Sequence, residues 1–110
     1  MIKVVNKHWH KPTPNDVYIG RGSPFGNPYS HMKGTKAEHI VATREEAIEK
    51  YRTWFNEQLK TNIILSELLN VMLSTVLKGN DLNLVCYCAP MPCHGEVIKE
   101  YLEGAIARRV

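Results

Sequence analysis

Short apolar clusters along this chain alternate between strand-like and helix-like spacing. Ile2-Lys3-Val4-Val5 is a β-branched run that predicts a first strand, and Val17-Tyr18-Ile19 predicts a second, stopped by Gly20. Between them, Asn6 to Asp16 carries Pro12, Pro14 and Asn15 and reads as a loop; residues 20 to 34, with Gly20, Gly22, Gly26, Gly34, Pro24 and Pro28, read as a structured loop. Ala47, Ile48, Tyr51, Trp54, Phe55 and Leu59 then recur at helical spacing and predict an amphipathic helix over roughly 44 to 60. Thr43-Arg44-Glu45-Glu46 supplies its capping box: the Thr43 hydroxyl accepts the Glu46 amide and the Glu46 carboxylate returns to the Thr43 amide.

Thr61-Asn62 ends that helix. Ile64, Leu65, Leu68, Leu69, Met72, Leu73, Val76 and Leu77 form a broader apolar surface, so the second helix is expected to lie deeper, ending at Lys78-Gly79-Asn80. Leu82 to Cys88 predicts a strand with Leu82, Leu84, Cys86 and Cys88 on one face. A last helix starts near Cys93 or His94 and buries Val97, Ile98, Tyr101, Leu102, Ala105 and Ile106. The order β-β-α-α-β-α predicts one compact α/β domain over residues 1–110. Its small sheet, of about three strands, is at least partly parallel and is packed by three helices. The helix pair before the last strand leaves ample chain for a parallel crossover, whereas the loop before the second strand leaves the first strand's direction open.

Composition narrows the class. A chain of 110 residues with 44% hydrophobic and 23% charged residues can bury a core without disulfide staples, which argues against a disordered segment. The net charge of +3 is mild, and only Arg108 and Arg109 are adjacent basic residues, so no basic tail marks a nucleic-acid binder; the balance leans toward small anionic ligands. Nucleic acid stays open as a weaker alternative. No charged start with an apolar stretch behind it marks a signal peptide. The stretch from Ile63 to Leu77 is broken by Ser66, Glu67, Asn70, Ser74 and Thr75 and is too short for a bilayer, so no membrane partner is expected. An odd number of cysteines does not suit a secreted disulfide framework, and a reducing cytoplasm is the expected compartment.

All three cysteines fall between Cys86 and Cys93, followed by His94 and Glu96 where a strand gives way to a helix. Three readings stay open. Cys86, Cys88, Cys93 and His94 could hold zinc, three thiolates and an imidazole being a common tetrahedral set, with His31 or His39 as substitutes for the awkwardly adjacent His94. Without metal, Cys93 at a helix N-cap could be a stabilised thiolate, with His94 and Glu96 as acid-base partners. Or Cys86 is core and Glu96 a capping carboxylate. A zinc deaminase is excluded because no cysteine follows Cys93. A cysteine phosphatase is excluded because Lys99 or Pro92 stands where its arginine belongs; there is no C-x-x-C pair and no Walker lysine.

The second cluster of candidate chemistry is Gly20-Arg21-Gly22-Ser23-Pro24-Phe25-Gly26-Asn27-Pro28-Tyr29. Glycine amides can cradle an anion, Arg21 can clamp it, and Ser23 and Asn27 can offer polar groups; Phe25 and Tyr29 could stack on a base or plug the core. His8, Trp9 and His10 could join such a cleft or lie on the surface. In open α/β sheets ligands sit beyond the carboxyl ends of strands. If the strands before the two clusters run parallel, the Arg21 loop and the Cys93 turn face one cleft.

The motifs V-Y-I-G-R-G-S-P-F-G-N-P-Y, T-R-E-E-A-I-E-K-Y-R-x-W and C-Y-C-A-P-x-P-C-H-G-E together resemble a family of small bacterial and phage proteins, domain of unknown function 4326. The resemblance covers nearly the whole chain. It carries over Gly20, Arg21, Ser23, Gly26, Asn27 and Pro28 from the first motif, and Cys86, Cys88, Pro90, Pro92, Cys93, His94 and Glu96 from the last. The family more often has Asp at the position of Glu96 and Trp at that of Tyr87. It implies a stand-alone domain with a shared site, and no reaction.

The expectation is a cleft for a nucleotide or related phosphorylated metabolite. Gly20, Arg21, Gly22, Ser23, Gly26 and Asn27 would bind it; Cys93, His94 and Glu96 would carry hydrolysis or group transfer at a glycosidic or phosphoester bond. The alternative is a non-enzymatic, zinc-stabilised binding or regulatory module.

Overall fold

The structure, a computed structural model, describes residues 1–30, 39–89 and 91–108. Along the chain run β1 (Ile2–Asn6), β2 (Asp16–Tyr18), β3 (Tyr29–Ser30), β4 (His39–Ile40), α1 (Arg44–Thr61), α2 (Ile63–Leu77), β5 (Leu82–Cys86) and α3 (Gly95–Ala107). The main sheet has the order β1-β5-β2, and both pairings are parallel, with Val4 and Val17 each in register with Leu84. This is the expected α/β architecture, and β1 runs parallel as well. The helix pair α1–α2 makes the crossover from β2 to β5.

The central place of β5 explains why all five of its residues are buried. Leu82, Leu84 and Cys86 join Ile2, Ile19, Tyr51, Phe55, Leu65, Leu69, Ile98 and Leu102 in one core. Asn83 instead meets the β1–β2 loop, its Nδ2 donating to Thr13 Oγ1 at 3.3 Å and Asp16 Oδ1 at 3.2 Å. The strand stops at Cys86 and not at Cys88, because β1 ends opposite Cys86 and the chain then turns. Asn6 fixes that turn: its Nδ2 donates to Tyr87 O at 3.1 Å and Ala89 O at 2.8 Å. Within the glycine-proline region the chain forms a second, two-stranded parallel sheet, Tyr29 opposite His39 and Ser30 opposite Ile40. Strands this short carry no periodic signal.

The α1 cap is close to the expected box. Glu46 N donates to Thr43 Oγ1 at 3.1 Å, but the Glu46 carboxylate takes the Ala42 amide at 3.1 Å in place of the Thr43 amide. Asn62 ends α1 and starts α2 at once, its amide donating to Gln58 O at 2.8 Å while its Oδ1 accepts Leu65 N at 3.1 Å. Gly79, at φ +90°, closes α2 with its amide on Val76 O and the Asn80 amide on Thr75 O.

The α2 helix does bury a larger share of its length than α1, which buries Ala47, Tyr51 and Phe55, but it is not covered all round. It buries Leu65, Leu69, Met72 and Leu73, but Ile63, Ile64 and Val71 are each more than half exposed. Its apolar surface is wider than the single side the core covers. No helix among the described residues is long and apolar enough to cross a membrane.

Candidate functional site

Because β2 and β5 are parallel neighbours, the segments that leave their carboxyl ends start side by side; the pairing continues one step further, with Ile19 N donating to Val85 O at 2.9 Å. The Arg21 loop, the Cys86–His94 turn and the start of α1 enclose a cavity of about 330 Å³. Arg21, Asn27, Arg44, Cys88, Cys93 and His94 line it, with Tyr18, Tyr29 and Tyr87 as aromatic walls. The two predicted clusters therefore share one cleft, of a size that suits a small ligand.

The glycine-proline loop is rigid through its own bonds. Ser23 Oγ donates to Gly20 O at 2.7 Å and accepts Phe25 N at 3.3 Å, and Gly26 N donates to Ser23 O at 3.1 Å. Phe25 is buried in the core, where Tyr51 Oη donates to its carbonyl at 2.7 Å. Asn27 ties the loop to α1, with Nδ2 on Ala47 O at 3.2 Å and Oδ1 accepting Tyr29 N at 2.9 Å. Of the residues expected to bind ligand, Gly20, Arg21 and Asn27 line the cavity; Gly22, Ser23 and Gly26 do not. The amides of Ser23, Phe25 and Gly26 are taken up inside the loop and do not face an anion. Arg21 is exposed and donates from Nη2 to Tyr29 O at 3.3 Å.

On the other side, α3 begins, as expected, with His94 as its N-cap and Gly95 as its first residue. A side chain there would press on Val4 Cγ1 at 2.9 Å and Ile19 Cδ1 at 3.0 Å, so glycine lets the helix start against the sheet. Cys93 lies ahead of the helix and its Sγ accepts the Gly95 amide at 3.3 Å. Cys86 Sγ and Cys93 Sγ are buried 3.5 Å apart, and Cys88, half-buried, lines the same cavity. Hydrogen bonds from Cys86 and Cys93, followed by the Arg44 guanidinium, hold the Cys88 thiol far below the usual range. Its two sulfur neighbours are displaced the opposite way. Hydrogen bonding to Cys86 and Cys88, with burial, pushes Cys93 up, and the bond to Cys88 pushes Cys86 up.

His94 is buried, with Nε2 2.6 Å from Ile19 O and the Tyr51 ring edge-on at 4.9 Å. A carbonyl only accepts, so Nε2 carries the proton. Burial lowers the imidazole's affinity for a second proton and Arg21 lowers it further, against the opposing pull of Ile19 O and Cys88, so the ring is neutral with its Nδ1 lone pair free of a proton. Glu96 is exposed one residue into α3 and does not line the cavity. It stands apart from Cys93 and His94, placed to favour the helix N-terminus.

The Nε2 of His94 is bonded to Ile19 O, which leaves Nδ1 as the nitrogen that could face a metal ion. Among the described residues no group of three or more Cys, His, Asp or Glu side chains is placed to hold a metal ion. His39 stacks on Tyr29 in the small sheet, while His31 and Pro90 lie outside the described residues. His8, Trp9 and His10 are not in the cavity lining; Trp9 is 75% exposed, His8 leans on Tyr87, and His10 Nε2 pairs with Asp16 Oδ1 at 3.0 Å.

Sequence reasoning missed Arg44 and Asn6. Arg44 is the first residue of α1, donates from Nη1 to Pro92 O at 3.2 Å, and so links α1 to the cysteine turn. A cation at a helix N-terminus opposes the helix dipole, and that local mismatch was the readable signal of another role.

A family model described as Domain of unknown function (DUF4326) matches residues 3–104. A protein of Enterobacteria phage T4, named as an uncharacterized 12.4 kDa protein in the nrdA-td intergenic region, is 33% identical over 98 residues, covering 89% of this chain and 74% of its own. No solved structure matches.

Proposed function

We propose, for a chain that belongs to the DUF4326 family, that the strand-end cleft binds a small anionic molecule of the nucleotide class and carries out hydrolysis or group transfer on it. The observation that carries this reading is the pair of guanidiniums, Arg21 and Arg44, brought from separate elements to the same cavity. Two arginines on one small cavity suit a phosphate, and each charged hydrogen bond contributes roughly 1.5–3 kcal/mol. The rings of Tyr18, Tyr29 and Tyr87 offer apolar faces for a base or sugar beside it.

The chemistry at the floor of the cleft supports a reaction in addition to binding. His94 is neutral and can take a proton at Nδ1, while the Ile19 carbonyl fixes the ring's orientation through Nε2. Cys88 supplies a sulfur nucleophile next to Arg44. This reading keeps His94 from the Cys93–His94–Glu96 set expected from sequence and moves the nucleophile to Cys88.

The test is a thermal-shift screen of nucleoside phosphates, ADP-ribose-like compounds, sugar phosphates and inorganic phosphate, followed by titration calorimetry and product analysis. A nucleoside phosphate should raise the melting temperature, and Arg21→Ala or Arg44→Ala should weaken its binding by about 10- to 100-fold. Binding that both variants leave unchanged would contradict the reading. Binding without turnover would restrict it to a ligand-responsive module.

A further inference from the structure

The carboxyl edge of the main sheet carries aromatic surface beyond what the cleft uses. Past the end of β1 come Lys7, His8 and Trp9; past β5 comes Tyr87, and β2 ends on Tyr18. His8 and Tyr87 have ring centroids 5.1 Å apart, and Tyr87 and Tyr18 6.1 Å. Lys7 Nζ lies over both tyrosines, 5.0 Å from the Tyr18 centroid and 5.9 Å from that of Tyr87. Tyr18 and Tyr87 also line the cleft, so the row of rings runs out of it toward β1. Trp9, beyond His8, shares a surface hollow with Ala89 and is almost wholly open to solvent.

Packing does not explain this row. An indole so exposed stabilises little by burial, yet its turn is fixed. Lys7 N donates to Cys86 O at 2.8 Å, and Trp9 N and His10 N donate to Asn6 O at 3.2 and 2.9 Å. The buried Asn6 side chain accepts the His8 amide at Oδ1 (2.9 Å) and holds Tyr87 O and Ala89 O from Nδ2. One residue therefore sets both ring-bearing turns. Charge adds a second argument. Residues 6–11, 17–30 and 86–89, which build this edge, contain Lys7, Lys11 and Arg21 and no Asp or Glu, in a chain with 11 acidic residues. The flanking Asp16 carboxylate is taken up by Thr13, His10 and Asn83. Exposed rings held rigidly beside cations, without carboxylates among them, suit unpaired bases and their phosphates. A duplex keeps its base faces stacked inside and has no use for such rings.

We propose that the ligand of this edge is a single strand of nucleic acid, with one nucleotide in the cleft and the following bases on Tyr87, His8 and Trp9. The proposal rests on the nucleotide reading of the cleft and extends it from a free nucleotide to a strand. Lys7 and Arg21 supply the charge for the phosphates between those nucleotides.

The test measures binding of the full chain to fluorescein-labelled strands of about ten nucleotides by anisotropy. DNA and RNA of one mixed sequence are compared with the mononucleotides and the matching duplex, and the tighter of the two strands identifies the sugar that the edge accepts. The single strand should bind at least about 10-fold tighter than any mononucleotide or the duplex, with affinity falling as salt rises. Trp9→Ala and Tyr87→Ala should each weaken strand binding by roughly 10- to 100-fold, and Trp9→Phe should restore most of it. Trp9→Ala should leave mononucleotide binding unchanged, because Trp9 is outside the cavity lining. Both side chains are exposed, and an unchanged melting temperature verifies that each variant folds. A strand that binds no tighter than its mononucleotide overturns the proposal and leaves the cleft reading standing. Strand binding that Trp9→Ala and Tyr87→Ala leave unchanged, or a duplex bound as tightly as the strand, overturns it too. Strand binding lost in Trp9→Ala but untouched by Arg21→Ala and Arg44→Ala keeps the stacking surface and overturns the cleft reading.

Discussion

His94 has separate roles for its two nitrogens: Nε2 ties α3 to the end of β2 through Ile19 O, and Nδ1 stays unprotonated on a ring that lines the cleft. Its lowered proton affinity has a stability consequence with a definite sign. The unfolded chain takes up a proton on this histidine as pH falls through about 6.5, while the folded chain resists until lower pH. Stability from His94 is therefore complete above about pH 6.5 and declines below it, with a limiting slope of about 1.4 kcal/mol per pH unit. Urea denaturation at pH 7.5, 6.0 and 5.0 should show this decline, and His94→Gln should reduce the slope. The same slope in the variant would mean that other groups produce it. At this scale the sequence was informative about residue types and poor about roles. Cys93, His94 and Glu96 looked equivalent as neighbours in a first turn, yet burial separates them: His94 and Cys93 face inward, and Glu96 faces solvent. Cys88 is the thiol whose proton affinity falls, through Cys86 and Cys93 first and then Arg44, which comes from 44 positions away in sequence. Such long-range pairings leave no local trace.

Elements with whole turns or several alternations were legible. The α1 and α2 helices match their apolar spacing, and the Thr43, Asn62 and Gly79 ends match local capping chemistry. Asn62 is the most exacting of these, since one side chain serves two helices and its Nδ2 also meets Gln58 Oε1 at 3.0 Å. Asn62→Ala should destabilise the chain by about 1–2 kcal/mol, read as a lower urea midpoint with an unchanged m-value. A midpoint shift of a few tenths of a kcal/mol would show that water replaces the cap. The strand end at Cys86 and the small β3–β4 sheet were not legible, for one physical reason. Both depend on where a partner strand begins or stops, and sequence periodicity carries no record of the partner. How much of the α2 apolar face is covered was not legible for a related reason. Periodicity reports how wide an apolar face is, but only the other elements determine how much of it they cover, and Val71 is left 64% exposed.

For the molecule as a whole, the consequential inference was topological. Two loops more than 50 residues apart in sequence (Arg21 and Cys88) meet because parallel strands send their carboxyl ends to the same edge. That rule needed only the presence of a crossover helix pair, which the α1–α2 pattern supplied. The content of the cleft depended on a third contribution, the start of α1, that no strand-end rule foresees. Asn6, outside the cavity lining, positions the cysteine turn from behind by holding Tyr87 O and Ala89 O. The measurement that bears most directly on a joint cleft is a backbone-amide NMR titration of the reduced chain with the nucleoside phosphate that gives the largest thermal shift. Shifts confined to residues 20–29, the first turn of α1 and residues 87–95 would place one ligand between the two loops and the helix. Perturbation centred on the opposite face, around Lys3, Thr13 and Asn83, or on only one of the two loops, would contradict it.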